Sequence, residues 1–321
     1  MASELLHYQE WGSGDPVIAL HPLALESSAF AGLAAVLAER SLRTLAVDLP
    51  GFGRSPAPDE PLSPARLAGP VLELARSLER PPLLVGMSLG ARVALEAALL
   101  EPRAVRGVVA VVPFLPWRRW RVALGATRWL DPDWAERLPL ERLWPALRLL
   151  AQRLERRPDL EHDWLGRAAA RAVYAFSCPA TRRAFLSATR EMALDPAFGA
   201  QGLWTRLVHL APPASFVWAG RDALVPRSHR ESLRRVLPGA PQLEVACAGH
   251  FVSAGHFSCM IHGIALAVAR SLEAGSATQP GAHSSLTLAP CLVGGDTAEP
   301  TPSSASERES EPAAPLRTEP S

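Results

Sequence analysis

The sequence predicts an α/β domain built on a mostly parallel, doubly wound sheet, interrupted by a helical insertion and followed by a tail without packed structure. Three observations carry this. Short apolar runs of strand length alternate with segments whose apolar residues recur at helical spacing, the rhythm of a parallel sheet covered on both faces. From about residue 114 to 204 that rhythm stops and the chain reads as helical throughout. After residue 274 it changes again, to a stretch with no aromatic residue and seven prolines.

The strand candidates are "PVIALH" (16–21), "LRTLAVD" (42–48), "PLLVG" (82–86) and "VRGVVAVV" (105–112), runs suited to burial on both faces. Between them "ESSAFAGLAAVLAER", "SPARLAGPVLELARSLER" and "LGARVALEAALLEP" carry helical spacing. Ser63 followed by Pro64 is a helix N-cap and first position, and Gly69-Pro70 is a candidate interruption of that helix. "ASFVWAG" (214–220) resumes the sheet, followed by helical "PRSHRESLRRVL", strand-like "PQLEVACA" and helical "IALAVARSLEA". Residues 1–113 and 205–274 therefore form one core, with 114–204 inserted as a helical cap. The tail, 275–321, buries too little apolar surface to offset chain entropy and is expected to be disordered.

The 321 residues are 48% hydrophobic, enough for a large core, and the formal net charge is +1. That balance excludes a general polyanion-binding surface, so no nucleic-acid partner is expected. All the basic side chains are arginine, which reflects codon usage rather than function. The N-terminus has no basic region leading into an apolar one, and no apolar run reaches membrane-spanning length. Cys178, Cys247, Cys259 and Cys291 are scattered without metal-type or disulfide spacing. A reduced, cytoplasmic protein with neither cofactor nor metal is the expectation.

The chemistry starts at "GMSLGA". Ser88 has Gly86 two residues before it, Gly90 two after and Ala91 three after. A sharp strand-to-helix turn crowds those positions, admits only small side chains, and lifts the central hydroxyl clear of the sheet beside a helix N-terminus. A plain glycine-rich turn would show the same spacing, and the rest of the chain decides between them. A serine nucleophile needs a base, and the base an acid. Asp222, in "WAGRDALVP", and His250, in "CAGHFV", both directly follow strand candidates and complete the chain order serine, acid, histidine. An aspartate there also serves as an ordinary turn former. His256, in the repeated tripeptide of "GHFVSAGHF", competes with His250, which is favoured because it directly follows its strand. An oxyanion needs two N–H donors. Leu89 follows the nucleophile, and Leu23 lies in the loop after "VIALH", where Pro22 has no N–H to offer. His21 is expected to be structural.

"LHP", "DLPGFGRS" (48–55), "GMSLGA", "WAGRDALVP" and "AGHFVSAGH" in this order resemble the α/β-hydrolase superfamily, over residues 5 to 274. The resemblance is to serine hydrolases of esterase or lipase type with a helical cap between the sixth and seventh strands. It implies an α/β-hydrolase fold, a small-molecule acyl substrate and an acyl-enzyme intermediate. Two departures stand out: the family usually has His-Gly where this chain has His21-Pro22, and acidic and proline residues are lacking after the histidine. "DLPGFGRS" reads as a structural turn, since its glycines precede no Lys-Ser/Thr pair. Serine at the elbow disfavours the relatives that open epoxides or cleave carbon–halogen bonds with aspartate. Esters, thioesters, lactones, amides and carbon–carbon bonds beside a carbonyl stay open. So does a binding protein that keeps the fold without catalysis. Six of the nine tryptophans lie in the cap before Trp204, which suggests an apolar acyl pocket or packing between cap helices. Its arginine clusters at 118–121 and 153–157 read as solvated helix faces, with attraction of an anionic substrate or lipid surface as the other reading.

Overall fold

A computed structural model describes residues 6–117, 126, 129, 131–137, 144–155, 173, 178–250, 254–274 and 286–288. Strands β1 (Tyr8–Trp11), β2 (Asp15–Leu20), β3 (Leu42–Val47), β4 (Leu83–Met87), β5 (Gly107–Val111), β6 (Ala214–Ala219), β7 (Gln242–Val245) and the three-residue β8 (Leu286–Leu288) form one sheet. Their spatial order is β1-β3-β2-β4-β5-β6-β7-β8, and only the β1–β3 pair is antiparallel. The helices are α1 (Ala31–Ala38), α2 (Pro64–Ser77), α3 (Leu89–Leu100), α4 (Pro132–Glu136), α5 (Trp144–Glu155), α6 (Pro179–Leu194), α7 (Leu203–Leu207), α8 (Ser228–Val236) and α9 (Ala254–Ala274). This is the α/β-hydrolase architecture, a mostly parallel sheet with helices on both faces.

The strands are apolar on both sides because both sides are covered. Val17, Ala19, Val85, Val109 and Val217 face α1 and α9, while Ile18, Leu20, Leu84, Val108 and Phe216 face α2, α3 and α8. Each strand thus divides its alternate residues between two core layers.

Four details depart from the sequence reading. β1 was not expected: Tyr8, Gln9 and Trp11 are half-buried and Glu10 is exposed, so this edge strand lacks the apolar signature of its neighbours. α2 runs unbroken through Gly69-Pro70, and its Ser63 side chain accepts from Arg66 N–H at 3.3 Å. Proline crowds the Cβ of the residue before it; glycine has none, so the helix continues. α4 to α7 occupy the interval between β5 and β6, one strand earlier than the resemblance implied, because a single antiparallel strand precedes the parallel run among the described residues. Within the tail, Leu286–Leu288 pairs parallel to β7, with Leu243 opposite Leu286 and Val245 opposite Leu288. β7 would otherwise present an unpaired edge, and "LTL" has the alternation to cover it. The rest of the tail, with Cys291, lies outside the described residues.

α6 ties the insertion to the core. Ser187 Oγ accepts from Leu62 N–H at 2.9 Å, and the Arg183 guanidinium donates to the carbonyls of Pro58 and Asp59 at 2.7 and 2.8 Å. No helix of the described residues is long and apolar enough to cross a membrane. Among them no group of histidine, cysteine or carboxylate side chains is arranged to hold a metal ion.

Candidate active site

β4 ends at Met87 and α3 begins at Leu89, which leaves Ser88 alone to turn the chain. It does so at φ 53° and ψ −108°, a left-handed backbone that a non-glycine residue adopts only under constraint. Its N–H donates to the Val111 carbonyl at 2.9 Å, and its own carbonyl accepts from Arg92 and Phe114, each at 3.1 Å. Neighbouring strand, helix and loop all hold the turn.

The small residues around the hydroxyl now have their reason. A Cβ at Gly86 would lie 2.3 Å from the Gly90 carbonyl oxygen, and one at Gly90 would lie 2.1 Å from that of Leu20. Both obstacles are backbone and cannot rotate away. The glycines let α3 start against β2 and β4, and this close approach projects Ser88 at the C-terminal edge of the sheet.

Ser88 Oγ lies 3.1 Å from His250 Nε2, and His250 Nδ1 lies 2.9 Å from Asp222 Oδ2. All three side chains are buried, Ser88 at 8% exposure and His250 at 7%. The second carboxylate oxygen of Asp222 accepts from the N–H groups of Leu224 and Val225, both at 2.8 Å. That leaves Oδ2 for the imidazole. A carboxylate accepts, so the His250 proton sits on Nδ1, and the lone pair on Nε2 receives the Ser88 O–H. Three residues drawn from positions 88, 222 and 250 thus form one hydrogen-bonded chain. His256 falls at the third position of α9.

The loop after β2 holds the other predicted residues. Leu25 N–H donates to the Pro22 carbonyl at 3.2 Å and Ala24 has φ 66°, a turn that leaves the Leu23 N–H outside its own hydrogen bond. His21 is fully buried and both ring nitrogens are used. Nε2 accepts from Leu49 N–H at 2.9 Å, so Nδ1 carries the proton and donates to the Pro22 carbonyl at 2.8 Å. Burial holds its pKa below the ordinary imidazole value, consistent with a neutral, structural ring. Leu89 is the first residue of α3, where helical N–H groups have no intrahelical acceptor.

"DLPGFGRS" is likewise a structural turn. Asp48 accepts from Ser27 N–H at 2.6 Å, Arg54 N–H at 2.9 Å and His7 Nδ1 at 2.8 Å, while Gly53 leaves its carboxylate room.

The sequence reading passed over two clusters. Arg92 on α3 donates to Asp195 at 2.8 and 3.2 Å and to Glu96 at 2.6 Å, and Arg206 on α7 donates to Glu96 at 2.6 and 3.1 Å. This buried network joins the helix after Ser88 to the returning end of the insertion. The Arg92–Glu96 spacing of four was the only sequence signal for it. The second cluster is His229 on α8, against Trp117 and Trp204. Trp129 and Trp134 are exposed. Trp120, Trp164 and most of both arginine clusters lie outside the described residues.

A family model described as "alpha/beta hydrolase fold" matches residues 15–257. A pimeloyl-[acyl-carrier protein] methyl ester esterase of Xanthomonas oryzae pv. oryzae is 32% identical over 260 residues, spanning 78% of this chain and 94% of that protein. The enzyme of the same name from Shewanella woodyi is 38% identical over 109 residues, and there this chain spans only 40% of the relative's length. A 2-(acetamidomethylene)succinate hydrolase of Mesorhizobium japonicum is 37% identical over 113 residues, 35% of this chain and 40% of that protein. Among solved structures, a thermophilic esterase from Thermogutta terrifontis superposes with a TM-score of 0.60 at 18% identity, over 85% of this chain and 94% of that one. At that identity the likeness speaks for the fold.

Proposed function

The chain belongs to the α/β-hydrolase family of enzymes, and from that membership we propose that it is a serine esterase cleaving a carboxylic ester through an acyl-enzyme on Ser88. The observation that carries the reading is the continuous chain from Ser88 Oγ through His250 to Asp222, at 3.1 and 2.9 Å, raised on a strained turn. The names of the relatives support an ester over a thioester or amide, since several are methyl ester esterases.

As Ser88 Oγ attacks the ester carbonyl, its proton passes to His250 Nε2. The imidazolium that forms keeps its Nδ1 proton toward Asp222, whose charge stabilises it. The oxyanion is held by the N–H of Leu89, at the positive end of α3, and by that of Leu23. His250 then protonates the departing alcohol. Water, deprotonated by the same Nε2, attacks the acyl carbon, and that proton then passes from Nε2 to Ser88 Oγ as the carboxylic acid leaves. Pro22 offers no N–H, and the positive φ of Ala24 turns the loop so that Leu23 takes the second donor's part.

A fluorophosphonate probe tests the reading. Labelling of Ser88 in the full chain, lost in Ser88→Ala, together with turnover of nitrophenyl esters, is the expected result. A chain that neither labels nor turns over any ester would be a binding protein on a hydrolase fold.

A further inference from the structure

Ser88 has a strained neighbour. Val112, the first residue past β5, has φ 38° and is fully buried. A β-branched side chain enters that region only under constraint, and such a residue persists where its surroundings over-determine it. The two residues are tied to each other. Ser88 N–H donates to the Val111 carbonyl, Val112 N–H donates to that of Val217 at 2.7 Å, and Phe114 N–H returns to the Ser88 carbonyl at 3.1 Å. The turn after β5 is thus one wall of the elbow, and whatever holds that turn also holds Ser88.

That support comes from the segment where the insertion returns. Two residues past Phe114, the Pro116 carbonyl accepts the indole N–H of Trp204 on α7 at 3.0 Å. α7 also carries Arg206, whose guanidinium donates to both carboxylate oxygens of Glu96. Glu96 and Asp195 in turn close on Arg92, one turn beyond Ser88 on α3. Leu203 and Trp204 N–H groups donate to the carbonyls of Pro196 and Ala197 at 2.9 and 3.1 Å, so Asp195 and α7 belong to one piece. The links form a closed circuit. It runs from the Ser88 carbonyl through Phe114 and Pro116 to Trp204, along α7 to Arg206, and back through Glu96 and Arg92 to the helix that Ser88 starts.

Stability alone is a poor reason for such a circuit. Arg92 and Glu96 are each 2% exposed, and burying charges incurs a desolvation cost that apolar side chains of similar volume avoid. A fully matched buried network does fix one arrangement of the groups it joins. Resting on the esterase reading, we propose that Trp204 and Arg206 are positioning residues, through which the returning insertion sets how Ser88 presents its hydroxyl to His250. Trp204 acts through the Ser88 carbonyl at one end of the circuit. Arg206 acts through the first turns of α3, which also carry the Leu89 N–H, at the other. Loosening either link displaces the nucleophile and leaves substrate binding alone, so the loss falls on kcat.

Two variants of the full chain test this. Trp204→Phe keeps an aromatic ring and loses the N–H. Glu96→Gln combined with Arg206→Met removes the second link while leaving Arg92 and Asp195 matched in charge; Arg206→Met alone is the control for an unbalanced buried charge. On a nitrophenyl ester, Trp204→Phe and the double variant should each lower kcat about tenfold with KM changed by less than about twofold. The second-order rate of fluorophosphonate labelling at Ser88 should fall in the same proportion. The double variant should melt above Arg206→Met, because charge balance is restored, yet stay slow. Trp204→Phe decides the matter if the double variant fails to fold. The proposal is overturned if melting falls while kcat and labelling stay at the wild-type level, or if kcat recovers in the double variant together with its melting temperature. A wild type that neither labels nor turns over an ester would sink the esterase reading itself, whereas variants as fast as an active wild type sink this proposal alone.

Discussion

Two aspartates lie just past parallel strands at the same edge of the sheet, and each holds a histidine. Asp48 follows β3 and meets His7 at 2.8 Å; Asp222 lies past β6 and meets His250 at 2.9 Å. As carboxylate–imidazole pairs they are nearly interchangeable. What differs is everything around them. Asp48 also accepts two backbone N–H groups from separate loops, so its histidine is one more strut in a turn. Asp222 spends one oxygen on its own turn and the other on an imidazole whose far nitrogen reaches Ser88. On the proposed mechanism the pairing of charge and ring carries no chemistry by itself; the group at the far nitrogen does.

The sharpest way to break this comparison is at that far end. Ser88→Ala should abolish ester hydrolysis while leaving the fold intact, since the elbow tolerates a smaller side chain. Asp222→Asn should lower kcat by about 10⁴ with little change in KM, because in the proposed mechanism its charge acts on an imidazolium present only in the transition state. Steady-state kinetics with one nitrophenyl ester measures both. Turnover in Ser88→Ala near the wild-type level would remove the proposed nucleophile.

The same comparison separates the histidines. His250→Ala should be nearly as damaging as Ser88→Ala, whereas His256→Ala should cost little. If the second substitution is the lethal one, the base is assigned six residues too early.

How much of this was legible in the sequence follows from which forces were local. The parallel strands were legible because burial on both faces writes an unbroken apolar run, as in Leu83–Met87 and Gly107–Val111. Ser88 stood out because it directly follows such a run, whereas Asp222 and His250 lie three and five residues past the ends of β6 and β7 and were picked out by their order in the chain. β1 was not, since its neighbours supply its pairing and its own residues stay half exposed. The Arg92–Asp195 contact spans 103 residues, and nothing nearby in the chain marks either partner. Nothing in the helical stretch "PRSHRESLRRVL" singles out His229. Its burial comes from Trp117 and Trp204, which the fold brings to it.

A middle-sized effect tests the geometry beneath the reactive pair. Gly90→Ala would set a methyl carbon 2.1 Å from the Leu20 carbonyl and 2.7 Å from that of His21. Both are backbone atoms, so the start of α3 must move away from β2. Over-packing of this kind costs about 1 to 3 kcal/mol, and here it shifts the Leu89 N–H and Ser88 together. Thermal melting should fall by several degrees for a domain of this size, and kcat should drop more than KM changes. A variant with unchanged melting and turnover would show that the elbow has room to spare.

The smallest effect concerns the other pair. Asp48→Asn keeps the shape of the side chain but loses the charge that three donors share. Burial opposes that charge, yet the Arg54 and Ser27 N–H groups and His7 outweigh it and hold the carboxyl below its ordinary value of 3.8. A carboxylate lowered on folding adds stability that is fully present above the unfolded pKa and lost as pH falls through the folded one. The wild type should therefore be more stable than Asp48→Asn by about 1 to 3 kcal/mol near neutral pH. The gap should narrow only below about pH 4, as the carboxyl begins to protonate. Turnover at neutral pH should stay within a few-fold of the parent, in contrast to the collapse expected of Asp222→Asn. Denaturant midpoints at a series of pH values, with initial rates alongside, measure both. A gap that held constant to about pH 2 would show that the charge of Asp48 contributes nothing beyond its shape. A fall in kcat rivalling that of Asp222→Asn would mean that the two pairs do the same work.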